Sequence, residues 1–435
     1  MNRQNRKRIA HNSRRIASRL FLCLIACASA AEAQPVIMQP PQYPVPPPAL
    51  QQVQNNNETQ VFNPAEAFWN LLQEINIYQW GPVSFRPSLS YSFTYATGVQ
   101  SSPGTNSATV SQTVSPNFLF VIGRHWTLNY SPSWTFYSSR QLQDSLNHAA
   151  TLSWGTSYED WTLGFSQGYT RSDTPLIQTG AQTEQEGYST AINASYQFNT
   201  KISLDMGVSQ NFNYIGNGTS STNSFGNFAD SKAWSTMEWL NYQFWPRLNA
   251  GLGVGAGYTT QAGSPDSVNE QYQARVNWRA TDKVSFKLNG GLEDQQYLSG
   301  GQGALLTPIF GAIIQYEPFK QTELSLSASR SVSPSYFQNQ NTESTSLTAT
   351  LNQRLLKKFT LGLTGGYSTV NYVATASGVA AGRTDDTYSF SANLSHSLTK
   401  RGTISMSYGY SENRSGVSGF SFSSEQIGVQ IGYQF

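Results

Sequence analysis

The strongest constraint on the fold is an alternation of apolar and polar residues that runs from Trp80 to the last residue, Phe435. From Trp126 to Phe136 every second residue is apolar, and threonine, asparagine or serine stands between them. Segments 202–209, 248–258 and 427–435 alternate in the same way. A period of two puts successive side chains on opposite faces of a β-strand. Because the runs last ten to fourteen residues, they are typical of tilted strands that cross a membrane.

The composition agrees with a membrane β-barrel. Charged residues make up 12% and aromatic residues 13% of the chain, whereas soluble domains carry about 25% charged residues. The mean hydropathy of −0.41 argues against a helical membrane protein, and the apolar run near the N-terminus is too short to span a bilayer. Barrel strands combine these properties because they present apolar side chains to lipid and polar ones to the lumen.

The first 33 residues predict a cleaved secretory signal. Seven basic residues precede the apolar run 20–26, and Ala31-Glu32-Ala33 fits the small-x-small cleavage pattern. Both cysteines, Cys23 and Cys27, lie in this segment, so cleavage after Ala33 leaves no thiol for disulfides or metal sites. An alternative is lipoprotein processing, because residues 24–27 (Leu-Ile-Ala-Cys) fit a lipidation box that would leave Cys27 as the new terminus.

Removal of residues 1–33 changes the sign of the net charge. The formal charge of the whole chain is +2, and cleavage leaves 20 basic and 24 acidic residues. The basic isoelectric point therefore belongs to the signal, and it gives no support to nucleic-acid binding.

Composition divides the rest of the chain into three parts. Residues 34–63 predict a Pro/Gln-rich periplasmic linker. Residues 64–79 predict a short helix or a capping segment, since Asn63 and Pro64 suit a helix start and Phe68 and Leu72 share one face. Residues 80–435 form the predicted outer-membrane β-barrel.

Short, often charged turns alternate with longer loops rich in serine, glycine and asparagine. The turns fall at 123–125, 158–160, 199–201, 245–247, 281–283, 317–320, 356–358 and 399–402. The loops fall near 98–106, 139–145, 173–186, 215–231, 261–268, 298–304, 334–342, 373–383 and 414–421. This pattern predicts an all-β, transmembrane, antiparallel up-and-down barrel of about 18 strands, with short periplasmic turns and long extracellular loops. The alternative is 16 strands, because segment 305–317 breaks the alternation.

Aromatic residues gather where the strands meet the short turns, as expected of a girdle at the membrane–water boundary. The girdle residues are Trp126, Trp161, Phe198, Phe244, Trp245, Phe286, Phe319 and Phe359. Phe435 closes an alternating strand at the end of the chain, which is the pattern that barrel-assembly machinery recognises.

Few charged residues share the parity of the lumen face. They are Arg86, Asp205, Arg275, Arg279, Lys287, Glu293 and Arg354. One interpretation is that they only solvate a wide, wet lumen. The other is that Arg275, Arg279 and Lys287 form a basic wall that faces Glu293 or Asp205 across a constriction. Loops 298–307 and 215–231 are the candidates for folding inward.

The sequence offers no catalytic or metal-binding arrangement. His125, His148 and His396 fall on separate strands and turns, whereas a nucleophilic site needs its side chains within hydrogen-bond reach. No metal-ligand spacing is present, and no cofactor is expected. The glycines at 251, 253, 255 and 257 occupy alternate positions on the lumen side of one strand, where we expect them to thin the wall.

Residues 80–91 (Trp-Gly-Pro-Val-Ser-Phe-Arg-Pro-Ser-Leu-Ser-Tyr) resemble the opening of the family of β-barrel porins of the second type. Barrels of that family often begin with Gly-Pro, an aromatic residue, a basic residue and a Pro-Ser-Leu stretch. Many then carry an acidic-Asn cluster late in the first strand, where this chain has Ala96-Thr97-Gly98-Val99. The resemblance implies an outer-membrane channel, associated in some relatives with exopolysaccharide or capsule loci.

Together these features predict a porin-like channel for passive diffusion of small hydrophilic, largely uncharged solutes in a Gram-negative outer membrane. The alternatives are a surface scaffold or adhesin whose extracellular loops are the functional part and, less favoured, an outer-membrane hydrolase. Expected partners are outer-membrane lipid and lipopolysaccharide, the barrel-assembly machinery and the solutes themselves. A homo-oligomer is left open.

Overall fold

The structure of the protein is a computed structural model that describes residues 79–179, 181–216, 228–299, 303–356, 358–376 and 382–435. The predicted signal and linker lie outside these residues, and so does the short helix or capping segment except for Gln79. None of the described residues forms a helix with the length and apolar character of a transmembrane span.

The described chain is built from nineteen β-strands, and successive strands are antiparallel. They are β1 (Gln79–Trp80), β2 (Val83–Ser102), β3 (Thr105–Ile122), β4 (Trp126–Tyr137), β5 (Ser145–Tyr158), β6 (Trp161–Leu176), β7 (Ala181–Gln197), β8 (Ile202–Ile215), β9 (Ser231–Trp245), β10 (Leu248–Gln261), β11 (Ser267–Arg279), β12 (Val284–Tyr297), β13 (Leu305–Phe319), β14 (Thr322–Pro334), β15 (Gln340–Leu355), β16 (Phe359–Ala374), β17 (Thr384–Ser397), β18 (Gly402–Ser415) and β19 (Phe422–Gln434).

The sheet closes on itself. Strand β19 pairs with β2 in a register that runs from Glu425↔Thr97 to Gln434↔Ser88, which makes β2 to β19 a closed barrel of eighteen strands. The two-residue strand β1 is an addition, paired with the start of β2 through Trp80↔Val83. Closure leaves no free sheet edge within the barrel. The prediction of an all-β barrel with 18 strands is confirmed.

Alternation sets the two faces of the wall. On β10, Leu252 and Val254 are exposed on the outer surface, and Gly251 and Gly253 lie on the inner one. The same parity gives exposed Leu89, Tyr91 and Phe93 on β2. We therefore assign the exposed apolar face to lipid and the polar face to the lumen.

Several strands extend further than the sequence pattern predicts. Segment 98–106 is expected as a loop, but β2 continues to Ser102 and β3 begins at Thr105. Segment 173–186 is also expected as a loop, but only residues 177–180 separate β6 from β7. Above the membrane both faces of the sheet can be polar, so serine, threonine and glutamine are compatible with a strand there. The backbone hydrogen bonds between neighbouring strands therefore continue beyond the membrane.

The segment Ala96 to Val99, where this chain departs from the family pattern, contains a bulge. The register between β2 and β3 shifts there, and Gly98 has a φ of +68°. A Cβ atom at Gly98 would lie 1.8 Å from the carbonyl oxygen of Ser423, so the position requires glycine. The bulge accompanies a small apolar cluster of Ala96, Val99 and Leu142, against which Tyr137 packs.

The irregular segment 305–317 is a strand. It forms most of β13 and pairs with β12 without a register shift from Gln295↔Leu305 to Val284↔Tyr316. Leu306 and Phe310 are exposed on the outer face, whereas Ile309 is buried on the inner face opposite Gly291. The alternation fails here because the inward positions Leu305, Ile309 and Ile313 are apolar.

Candidate functional site

The inner wall carries the seven charged residues predicted from parity. Each of Arg86, Asp205, Arg275, Arg279, Lys287, Glu293 and Arg354 has the parity opposite to the exposed apolar residues of its own strand. Their burial differs, since Arg86, Arg275 and Glu293 are buried whereas Arg279 and Arg354 are exposed near the short-turn end.

Arg275 and Asp205 form an ion pair that runs along the wall from β11 to β8. Asn241 on β9 completes it: Arg275 Nε donates to Asn241 Oδ1 (2.9 Å), and Asn241 Nδ2 donates to Asp205 Oδ2 (2.8 Å). Ser195 Oγ donates to the other carboxylate oxygen, Oδ1 (2.7 Å). The carboxylate and the guanidinium therefore neutralise each other and share further hydrogen-bond partners, which a buried pair needs to offset its desolvation.

The alternating glycines of β10 make room for this network. A Cβ atom at Gly253 would lie 2.6 Å from the Trp239 ring, and one at Gly251 would lie 2.5 Å from Asn241 Oδ1. The guanidinium of Arg275 lies over the Trp239 ring, 4.4 Å from its centre, in the geometry of a cation–π contact. The glycine positions expected to thin the wall are thus covered by side chains from neighbouring strands.

Glu293 lies on the same wall, on β12. It is buried and accepts hydrogen bonds from Gln271 Nε2 (3.0 Å) and Asn269 Nδ2 (3.2 Å) on β11. The amide series continues through Gln273, which donates to Gln271 Oε1 (2.9 Å), and Asn289, which donates to Gln273 Oε1 (3.2 Å).

The basic wall does not face an acidic one as hypothesised. Asp205 contacts Arg275 directly, and Glu293 lies on the strand that also carries Lys287. Lys287 is opposite Asn277, and Arg279 is opposite Ser285, in the pairing of β11 with β12. Sequence parity gives the face of each residue. It misses the Asp205–Arg275 contact because that contact spans three strand spacings across the glycine positions.

A first loop crosses part of the mouth, at the barrel end opposite the short turns. The β14–β15 loop, residues 335–339, reaches β10, four strands away. Gln261 Nε2 donates to the carbonyl oxygens of Ser335 (2.7 Å) and Phe337 (3.0 Å). The buried Phe337 ring packs against Phe228, with ring centres 5.6 Å apart.

A second connection, the β6–β7 hairpin, crosses the mouth from the other side. Arg383, just before β17, donates from Nη1 to the carbonyl oxygen of Gln178 (2.9 Å) and from Nη2 to that of Ile177 (3.4 Å). The two crossings are joined through the β16–β17 loop, because Thr375 N donates to Asn339 O (2.9 Å) and Tyr372 N donates to Arg383 O (3.0 Å).

Neither crossing loop was a candidate from the sequence, which favoured 298–307 and 215–231. Of these, residues 300–302 and 217–227 lie outside the described residues, and the described Phe228 and Ala229 support the loop at 335–339. One available signal was the aromatic pair Tyr336-Phe337 in an otherwise polar loop. The other was the charged Arg383, Asp385 and Asp386 after a stretch of serine, glycine and alanine.

The aromatic residues at the short-turn end contact one another laterally. Ring centres are 6.0 Å apart for Trp126 and Trp154, 4.7 Å for Trp161 and Tyr196, and 5.4 Å for Trp278 and Phe286. Further ring contacts join Phe359 to His396, Tyr196 to Phe198, and Phe244 to Trp245. Phe319 and Trp245 are exposed there.

The last residue lies at the closure of the barrel. Phe435 N donates to Pro87 O (3.2 Å), and its exposed ring contacts Tyr433 at 5.1 Å between centres.

The three histidines predicted to lie apart are on different strands and turns. His125 Nδ1 is 2.9 Å from Gly155 O, His148 Nδ1 is 2.9 Å from the Tyr130 hydroxyl, and His396 Nδ1 is 3.1 Å from Lys358 O. Within the described ranges, no group of three or more histidine, cysteine, aspartate or glutamate residues is arranged to hold a metal ion.

Comparison with known proteins identifies the family signature. The sequence model of the family described as "Putative beta-barrel porin 2" matches residues 302–435. This is the family that residues 80–91 resemble, and the match does not include those residues. No curated protein matches the sequence.

Solved structures also match the chain, and the three that follow have TM-scores below 0.5. OccAB4 of Acinetobacter baumannii is 11% identical with a TM-score of 0.42, covering 81% of this chain and 98% of that one. OpdO of Pseudomonas aeruginosa is 12% identical with a TM-score of 0.43, covering 81% and 97%. OccAB3 of Acinetobacter baumannii is 10% identical with a TM-score of 0.44, covering 81% and 100%. The chain forms a closed β-barrel of eighteen strands, and its residues 302–435 match the model of the family described as "Putative beta-barrel porin 2".

Proposed function

We propose that the protein is a channel for passive diffusion of small hydrophilic, largely uncharged solutes across the outer membrane. The observation that carries the proposal is that most positions of the inner wall are uncharged. Asp205 is ion-paired with Arg275, and Glu293 is held by two amide side chains. The lining otherwise consists largely of hydroxyl, amide and glycine positions.

Such a lining favours weak charge selectivity. A strong ion filter needs a concentrated ring of one sign in a narrow section. The charges of this wall are of both signs, and Arg279 and Arg354 are exposed near the short-turn end. At physiological salt, charges in a wide aqueous lumen are screened within about 8 Å. Sugars and other neutral polar solutes fit this lining better than a single class of ion.

The scaffold or adhesin alternative gains no support from the two described connections at the mouth. An adhesin needs loops that project from the surface, whereas the described residues 177–179 and 335–339 pack over the mouth and bury Thr179 and Phe337.

A hydrolase would need a nucleophile–base–acid arrangement, and the hydrogen-bond contacts of the three described histidines are with a tyrosine and backbone carbonyls.

The outer surface suits the partners expected of such a channel. Above the apolar band it carries ion pairs near the loop end, such as Arg171–Glu184 (2.5 Å), Arg330–Glu343 (2.9 Å) and Arg414–Glu412 (2.8 Å). This is the level of lipopolysaccharide headgroups, which we propose surround the barrel there. The exposed Phe435 ring is our proposed contact for barrel-assembly machinery.

The proposal is tested by reconstitution. In planar bilayers we expect a steady open conductance and a reversal potential near zero in a salt gradient. In liposome-swelling assays, neutral sugars should permeate at rates that fall with their size. Absence of conductance from folded, heat-modifiable protein would contradict the channel, and a strongly charge-selective pore would contradict the preference for uncharged solutes.

A further inference from the structure

We propose that Arg383 is a latch that holds the β6–β7 hairpin across the barrel mouth, and that this latch sets the size of solute that can pass. The inference deepens the proposed channel function and rests on it. It assigns the size limit to one side chain and to the hairpin that this side chain holds.

The first argument is the distance that the hairpin spans. Counted through the pairing of β19 with β2, β6 is seven strands from β17 in a ring of eighteen. Two points seven-eighteenths of a circle apart lie almost at opposite ends of a diameter. Contact between Gln178 at the hairpin tip and Arg383 beside β17 therefore requires the hairpin and the segment before β17 together to bridge the opening.

The second argument is that the hairpin is supported along its path. Gln182 Nε2 donates to Gln143 O (2.8 Å), and Gln143 N donates to Gln182 Oε1 (2.9 Å), which ties the hairpin to the β4–β5 loop. Leu176 and Thr183 are buried, and Thr179 is 0% exposed. The described part of the hairpin tip is thus packed against the barrel end.

The third argument is the way in which Arg383 is held. Its Nε and Nη2 donate to the two carboxylate oxygens of Asp385 (2.9 and 2.5 Å). Its guanidinium lies 3.6 Å from the centre of the Phe420 ring and 4.7 Å from that of Tyr372. The side chains of Arg383 and Asp385 are only 9% and 2% exposed. A planar fork that pairs bidentately, stacks and still reaches two carbonyl oxygens cannot be replaced by lysine.

The chain offers a matched control. Arg414 also pairs with an acidic residue two positions away, Glu412, through a contact of 2.8 Å. It also lies over an aromatic ring, that of Tyr388, at 5.2 Å. Its side chain is 66% exposed, on the outer face of β18. Arg414→Gln therefore removes a similar local arrangement without touching the mouth.

The experiment combines two readouts in Arg383→Gln and Arg414→Gln. The first uses Thr179→Cys in each background, with labelling of the introduced thiol by a membrane-impermeant reagent in intact cells. We expect labelling to be slow in otherwise wild-type protein, at least about tenfold faster with Arg383→Gln, and unchanged with Arg414→Gln. The second is single-channel conductance, which we expect to rise about twofold with Arg383→Gln only, together with swelling by larger oligosaccharides. Heat-modifiable migration verifies that each barrel is folded.

The outcomes separate the latch from the channel. Unchanged labelling of the Thr179→Cys thiol in the Arg383→Gln background overturns the latch. Faster labelling without any change in conductance or sugar size limit overturns its role in setting the limit. A closed wild type with a conducting Arg383→Gln variant supports the latch and overturns a constitutively open channel. If wild type and variant are both closed, the role in setting the size limit fails together with the channel. Should Arg383→Gln not fold, Arg383→Lys serves as the second variant, with the same direction expected in both readouts.

Discussion

Asp205 and Arg275, which are 70 residues apart in the chain, form an ion pair on the inner wall of the barrel. Their side chains are 23% and 6% exposed, and both share Asn241 as a hydrogen-bond partner. Because the pair spans from β8 to β11, it ties together strands that are not neighbours in the sheet.

The stability of the barrel should depend on this pair. Arg275→Met leaves the Asp205 carboxylate without its cation, and we expect a loss of about 3 kcal/mol in the free energy of unfolding. The double change Asp205→Asn with Arg275→Met should recover most of it. Arg247→Ala breaks an exposed pair with Asp282 (53% and 82% exposed) and should cost less than about 1 kcal/mol. Urea unfolding in lipid vesicles measures all four proteins, and equal losses for the two arginine variants would refute the argument.

The glycine positions on β10 should be equally sensitive. A methyl group at Gly253 would press on the Trp239 ring at 2.6 Å, so Gly253→Ala should destabilise the barrel by about 1–3 kcal/mol through overpacking. Gly365 offers the control, since a Cβ atom there meets nothing within 4 Å. The temperature of the gel-mobility shift compares the two variants, and an unchanged shift for Gly253→Ala would contradict the packing described.

Ion selectivity should reveal which lumen charges are compensated. Arg279→Ser with Lys287→Ser removes two positive charges, and we expect a small shift of the reversal potential towards cations. Arg275→Ser should also shift the potential towards cations, because it leaves the negative charge of Asp205 without its paired cation. Adding Asp205→Asn to Arg275→Ser should return the potential towards wild type. No shift in any variant would remove these residues from the conducting path.

The end of the chain should control assembly rather than conduction. Deletion of Phe435 removes an exposed ring beside the β2–β19 pairing, and we expect a marked fall in folded protein in the outer membrane. Phe435→Tyr keeps the aromatic ring and should restore it. The fraction of heat-modifiable protein in membrane extracts is the measurement. Normal yield after the deletion would show that the ring is dispensable.

Processing of the N-terminus can be checked directly. Cleavage after Ala33 predicts a mature chain that begins at Gln34 and contains no cysteine. Lipoprotein processing would instead leave Cys27 at the terminus. Mass spectrometry of the purified protein distinguishes them, since only the second product carries acyl chains and responds to Cys27→Ser.

The sequence predicts the barrel well because alternation is a local property. Strand number, turn positions and the lumen parity of Arg275 and Glu293 all follow from a period of two. Contacts between distant strands do not follow from this period. Asp205 reaches Arg275 only because Gly251 and Gly253 leave space above β10. The sequence also does not give the register of β8 relative to β11. Bridging of the mouth by Gln178 and Arg383 depends on how a hairpin bends, which Ser/Thr/Gln composition leaves undetermined.

The pairing of β19 with β2 has a consequence for how the protein is made. Thr97 donates to the carbonyl oxygen of Glu425, 328 positions further along the chain, so the seam forms only after the chain has been secreted as far as β19. Until then β2 presents an unpaired edge, which is a template for association with other chains. A product truncated before Phe422 would keep two such edges permanently. We therefore expect biogenesis to depend on periplasmic chaperones that shield the first long strand until the last one arrives.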